Sequence, residues 1–81
     1  MTKSQRARVV ELLRCAATGP LTVHSAGDKT NAPPDVIALA DLARHETALE
    51  LAKHGLHGDS DDFFNAACLI AAGRIEEKSW P

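Results

Sequence analysis

Histidines and aspartates lie close together between residues 54 and 62, where their side chains could hold a metal ion. His54 and His57 are three positions apart, and Asp59 follows two positions later. Imidazole nitrogens and carboxylate oxygens are ligands of Zn²⁺, and a zinc-bound water would supply the nucleophile of a hydrolase. The spacing is not HExxH, and no cysteine pair completes a structural site. These three residues are therefore weak metal candidates, and the favoured interpretation is that histidines cap the negative end of a helix.

No pattern in the sequence predicts catalysis. Residues 27–30 superficially resemble a phosphate-binding loop. Such a loop needs glycine directly before its lysine, but here Asp28 occupies that position and would repel phosphate. Cys15 and Cys68 both lie in apolar segments with no histidine and acid at a recognisable spacing. We therefore expect a protein that is not an enzyme, has no cofactor and has two buried free thiols.

Three basic side chains are candidates for binding a partner. At about 100° per residue, Lys3, Arg6 and Arg14 share the side of the first helix opposite its apolar stripe. They could contact an acidic protein surface or phosphates, although a solvated face is the favoured interpretation. The formal net charge of −2 disfavours general binding to nucleic acid. This charge is uneven, because residues 1–27 have a net charge of +3 and residues 28–81 a net charge of −5.

The element that must position these basic residues is a first helix over about residues 3–17. Thr2 and Gln5 have the spacing of a capping box. Gly19 and Pro20 supply the stop. The apolar stripe predicted to face the core consists of Val9, Leu12, Leu13 and Ala16.

Residues 18–34 are rich in Gly, Pro, Asn, Ser and Thr and show no helical period. They predict a long irregular loop between the first and second helices. A connection of this length is either functional or a tolerated insertion, since the entropy of closing a loop grows slowly with its length. The second interpretation is favoured.

A second helix is predicted over about residues 35–53, with apolar residues on two sides. One side holds Val36, Ala40, Ala43, Thr47 and Leu51, and the other holds Ala38, Leu42, Leu49 and Ala52. A surface helix needs only one apolar stripe. The second side therefore indicates either a helix packed between two neighbours or a face that binds a partner, with Leu42 and Leu49 as the candidate contacts.

A third helix is predicted over about residues 60–77, beginning at an acid-rich segment. Ala66, Leu69 and Gly73 lie on a side expected to let a neighbouring helix approach closely. Trp80 would either fold back onto the core or anchor an interface. The stripe expected to face the core consists of Phe63, Ala67, Ile70 and Ala71, extended by Phe64, Cys68 and Ile75.

Together these elements predict one all-α domain over residues 1–81, with the second helix packed between the other two. The chain has 81 residues, and fourteen of its apolar residues are alanine. So few large side chains exclude a thick aromatic core and a multi-domain enzyme, and no apolar run approaches the roughly 18 residues of a membrane span. The small core predicts that Trp80, a second copy of the chain or a partner completes it. Without a secretory signal pattern or a disulfide framework, a cytoplasmic location is expected.

The two ends of the sequence carry a resemblance. The start, MTKSQRARVVELLRCAA, and the end, AAGRIEEKSWP, resemble those of small proteins of bacteriophages and prophage-like elements. In such proteins a basic first helix and an acidic last helix ending in Ser-Trp-Pro flank a variable middle. The resemblance implies a phage-derived accessory protein that acts by binding host or phage proteins, with no catalytic residue or ligand carried over.

The leading hypothesis is therefore a non-enzymatic binding protein of phage or mobile-element origin that modulates a host or phage protein, with anti-defence as one such role. A homodimer is an alternative association, and no membrane is expected as a partner. A small nucleic-acid-binding regulator that uses the basic face of the first helix is the alternative function. A metal-dependent hydrolase built on His54, His57 and Asp59 is the weaker alternative.

Overall fold

The computed structural model describes residues 1–19, 21–56 and 60–79, which form four helices and no strand. The helices are α1 (Lys3–Ala16), α2 (Val23–Thr30), α3 (Pro34–Lys53) and α4 (Asp61–Glu76). The all-α class is confirmed. The prediction of three helices is wrong, because the segment expected to be an irregular loop contains α2. Across these described ranges, no helix combines the length and the apolar character needed to cross a membrane.

The first helix begins with the capping box that its sequence predicts. The Gln5 backbone N–H donates to Thr2 Oγ1 at 3.0 Å, and the Thr2 N–H donates to Gln5 Oε1 at 2.9 Å. Two otherwise unpaired backbone donors are satisfied in this way. The residues of α1 that are buried are Val9, Val10, Leu12, Leu13 and Ala16.

Helix α2 corrects the prediction for residues 18–34. The Thr22 hydroxyl accepts a hydrogen bond from the Ser25 N–H, and Asn31 ends the helix in the left-handed conformation with φ of 57°. Both are favoured cap residues at these positions. Gly27 lies in contact with α3, and a Cβ added there would come within 2.6 Å of the Ile37 side chain. The glycine that suggested a loop therefore permits close packing between two helices.

Only one of the two apolar sides of α3 is covered. Val36, Ala40, Ala43 and Thr47 are buried, whereas Leu42 and Leu49 are exposed. The expectation that this helix packs between the other two long helices is wrong, because α1 and α4 contact each other directly and form the most extensive helix interface. Each of α1, α3 and α4 contacts the other two.

Two expectations for α4 are also wrong. Ile70, predicted for the core, is exposed, and the buried residues are Ala67, Cys68, Ala71, Ala72 and Ile75. Gly73, predicted to let a neighbour approach, faces open space, because no atom lies within 4 Å of a Cβ added there. The packed side of α4 is rotated from the expected one by the extensive contact with α1.

The core has an unusual distribution of side-chain sizes. Its largest fully buried side chains include Leu12 and Leu13 from α1 and Ile75 from α4. The buried positions of α3 and α4 are mostly alanine, at 0–1% exposure, while Leu42, Leu49, Leu69 and Ile70 on the same two helices are 42–54% exposed. Most of the buried side chains of these helices are therefore small, and four of their large aliphatic side chains are exposed, although Ile75 is buried and Ile37, Leu39 and Phe64 pack against the core. This inversion leads to the candidate interaction surfaces.

Candidate interaction surfaces

The outer face of α4 is a continuous apolar stripe. It consists of Ala66, Leu69, Ile70 and Gly73, which follow the i, i+3, i+4, i+7 spacing of one helix side. All but Gly73 are exposed, and Gly73 is partly so. No charged residue occurs between Phe63 and Gly73. The spacing was visible in the sequence, but periodicity alone could not show that this stripe, and not the alanine-rich one, is uncovered.

The outer face of α3 presents Leu42 and Leu49. Seven residues separate them, so they lie two turns apart on the same side of the helix. Exposed His45 and Glu46 lie between them, which makes this face more polar than that of α4. The sequence prediction that Leu42 and Leu49 form a side distinct from the buried one agrees with their positions.

The basic residues of α1 border a groove of about 830 Å³ beside the end of α4. Lys3, Arg6 and Arg14 all line this basic groove, and Lys78 adds a fourth cation. The remaining lining residues are Met1, Ala7, Val10, Glu11 and Glu76. The structure therefore brings together the three cations predicted to share a face. Lys78 was missed, because nothing in the sequence near residue 78 indicates that the end of α4 lies against the start of α1.

The two arginines of the basic groove also hold α4 in place. Arg6 Nη1 donates to the Ile75 carbonyl oxygen at 3.0 Å, and Arg14 forms an ion pair with Glu76. The Ile75 carbonyl lies in the last turn of α4 and also accepts from the Lys78 N–H at 3.1 Å, so Arg6 adds a second hydrogen bond at this helix end. The prediction that the basic face is solvated therefore holds only in part, since two of its three cations have contacts within the chain.

A polar cluster joins α3 to α4 beside the buried cysteine. Arg44 contacts Asp41 at 3.3 Å and lies over the Phe64 ring, 5.5 Å from its centre. Farther along, Arg74 pairs with Glu50 at 2.7 Å. Burial raises the pKa of the Cys68 thiol from 9.0 to about 11, although Arg44 opposes the shift. Both cysteines are free, with Cys68 buried and Cys15 partly so, which makes Cys68 an unreactive core residue at neutral pH.

The raised pKa of Cys68 predicts a loss of stability at high pH. A thiol that ionises less readily in the folded state stabilises the fold fully below pH 9, and this contribution is lost as the pH rises towards 11. The loss approaches about 2–3 kcal/mol at the upper limit. We expect urea unfolding under reducing conditions to show the free energy of unfolding falling more steeply for the wild type than for Cys68→Ala between pH 8 and pH 11. Parallel profiles would contradict the assignment.

The structure leaves the metal hypothesis without an assembled site. His54 is the C-cap residue of α3 and is exposed, whereas His57 and Asp59 lie outside the described residues. Within the described ranges, no group of three or more His, Cys, Asp or Glu side chains is placed to hold a metal ion. Trp80, predicted to close the core or to anchor an interface, also lies outside the described residues.

Comparison of the chain with protein-family models, with curated proteins and with solved structures finds no match.

Proposed function

We propose that the chain is a non-enzymatic protein-binding accessory protein of phage or mobile-element origin that modulates a host or phage protein. The observation that carries the binding function is the inverted distribution of side-chain sizes on α3 and α4. The proposed origin rests on the resemblance at the two ends of the sequence. Anti-defence is one form that such modulation takes, and the cytoplasm of the host cell is the proposed location.

The argument from the inversion is energetic. Full burial of a leucine or isoleucine side chain contributes roughly 1.5–3 kcal/mol. Leu42, Leu49, Leu69 and Ile70 are about half exposed, so together they leave unused roughly 3–6 kcal/mol of apolar burial. A small domain with few large side chains has little stability to spare. A partner that covers these side chains would recover that free energy on binding, which is the common reason for exposed apolar patches.

The alternative function, a nucleic-acid-binding regulator, has less support. Its basic face would have to release Arg6 from Ile75 and Arg14 from Glu76 before both guanidinium groups could contact phosphates. Glu11 and Glu76 also border the groove and would repel a phosphate backbone. We therefore place the main interaction surface on the outer faces of α3 and α4.

Polar substitutions on the outer faces are expected to abolish partner capture without unfolding the protein. We predict at least a tenfold loss of retained partner from a nuclease-treated bacterial lysate for Leu69→Gln with Ile70→Gln, and a similar loss for Leu42→Gln with Leu49→Gln. Glutamine is a good helix former, so the helices should persist. Circular dichroism and thermal unfolding would verify the fold of each variant.

The matched control is Asp28→Gln with Lys29→Gln, which introduces the same side chain at two exposed positions of α2, outside the faces of α3 and α4 under test. This control should retain the partner as the wild type does. Equal retention by all variants would refute the leucine-mediated interaction. Material that is retained from an untreated lysate but not from the nuclease-treated one would favour the nucleic-acid-binding regulator.

A further inference from the structure

The basic groove has chemistry different from that of the outer faces of α3 and α4. Its cations are Lys3, Arg6, Arg14 and Lys78, and its acids are Glu11 and Glu76. The described side chains of this lining have a net charge of +2, in contrast with the net charge of −2 for the whole chain. Met1, Ala7 and Val10 add apolar surface between the charged groups.

We propose that this groove is a second docking site, and that its ligand is an acidic amphipathic peptide segment of a partner protein. Charge complementarity identifies the ligand class, because the local excess of positive charge attracts carboxylates. The apolar lining distinguishes an amphipathic segment from a purely acidic one. The inference goes beyond the proposed function, since it concerns a different surface and stands if the leucine faces bind nothing.

The four cations have different roles in this site. Arg6 and Arg14 are held by Ile75 and Glu76 and therefore shape the wall formed by α1 and α4. The ammonium groups of Lys3 and Lys78 make no hydrogen bond or ion pair with any described residue, and both side chains are exposed. These two lysines are the ammonium groups available to the carboxylates of a ligand.

A groove of this composition suits a peptide better than a nucleic acid. Its volume of about 830 Å³ accommodates several side chains. A phosphate backbone has a charge at every nucleotide, so some of its phosphates would meet Glu11 or Glu76, whereas a peptide can have carboxylates beside Lys3 and Lys78 and uncharged side chains beside the two glutamates.

The test is an unbiased selection of random 12-residue peptides on the immobilised full chain, followed by fluorescence polarisation with the most enriched peptide. We expect enriched sequences that combine Asp or Glu with Leu, Ile or Phe. Lys3→Glu with Lys78→Glu should weaken binding at least tenfold, and raising the salt from 50 mM to 500 mM should weaken it severalfold. Glutamate at position 3 is favourable at a helix start, so α1 should remain folded in this variant.

The matched control is Lys29→Glu with Lys53→Glu, which reverses two exposed lysines outside the groove and should leave peptide affinity within twofold of the wild type. Leu69→Gln with Ile70→Gln should also leave it unchanged, which separates failure of this proposal from failure of the proposed function. Enrichment of neutral or basic peptides, no enrichment, or equal weakening in the control would overturn the proposal.

A further outcome would assign the groove to another occupant. Tighter binding of a single-stranded oligonucleotide than of the selected peptide, lost in Lys3→Glu with Lys78→Glu, would make the groove a nucleic-acid site and would overturn the proposal.

Discussion

Replacement of Leu13 with alanine is expected to lower the free energy of unfolding by about 3–5 kcal/mol. Leu13 is fully buried in α1, and α1 supplies the large side chains around which the alanines of α3 and α4 pack. Removal of a buried leucine side chain loses its transfer free energy and leaves a cavity. The alanines around this cavity have no large side chain that could fill it. The loss of stability should therefore lie in the upper part of the usual range of about 2–5 kcal/mol.

The matched control for this prediction is Leu49→Ala on α3. Leu49 is exposed, and alanine has the higher helix propensity, so the free energy of unfolding should change by less than about 1 kcal/mol. Urea unfolding followed by circular dichroism at pH 7 would measure both variants. Equal destabilisation by the two substitutions would show that the large side chains of α3 contribute to the core as much as those of α1.

Replacement of Gly27 with alanine is expected to destabilise the protein, although alanine is the better helix former. In an open helix position the change would stabilise by about 1 kcal/mol. In α2 the added methyl group would come within 2.6 Å of the Cγ1 and Cδ1 atoms of Ile37, and such overpacking costs about 1–3 kcal/mol. The net loss should therefore reach up to about 2 kcal/mol. Gly73→Ala on α4, where nothing lies within 4 Å, should instead stabilise the protein by about 1 kcal/mol.

A double-mutant cycle would isolate the contact between Gly27 and Ile37. Ile37→Ala removes both atoms that the new methyl group would approach, so in that background Gly27→Ala should stabilise the protein. Denaturant unfolding of the four proteins in the cycle measures this reversal of sign. If Gly27→Ala destabilises equally in both backgrounds, the cost arises elsewhere in α2.

The three longer helices could be predicted from local signals. Helix α1 spans Lys3–Ala16 where the sequence predicted 3–17, and α3 and α4 begin and end within one residue of their predicted positions. In each case an apolar stripe extends over several turns, and the start is marked by a capping side chain in α1 and α4 and by proline in the first turn of α3. For α1 the stripe also identified four of the five buried residues, all but Val10, because only one side of that helix is apolar.

The short helix α2 could not be recognised in the same way. Its eight residues include Gly27, Asp28 and Thr30, which have low helix propensity. Thr22 and Asn31 were available as cap signals, but an isolated helix of this length is unstable in water. Its contacts with α1 and α3 stabilise it, and these contacts are not visible in local sequence.

Local sequence also could not show which of the two apolar sides of α4 is buried. Ile70 was predicted for the core, and Leu69 for a side approached by a neighbour, yet both are exposed. Periodicity shows that α4 has two apolar sides but not which one faces α1. For the basic groove, the shared face of Lys3, Arg6 and Arg14 was predictable, whereas the contribution of Lys78 depends on the contact between α1 and α4.

The extensive interface between α1 and α4 has a consequence for synthesis on the ribosome. The helix that supplies the largest core side chains emerges first, and its most extensive partner begins at Asp61 and emerges last. At about 5–20 residues per second, the intervening chain takes several seconds to emerge. During that interval Leu12 and Leu13 lack the cover that α4 provides. The nascent chain therefore exposes apolar side chains that can bind other chains and that are buried in the folded protein.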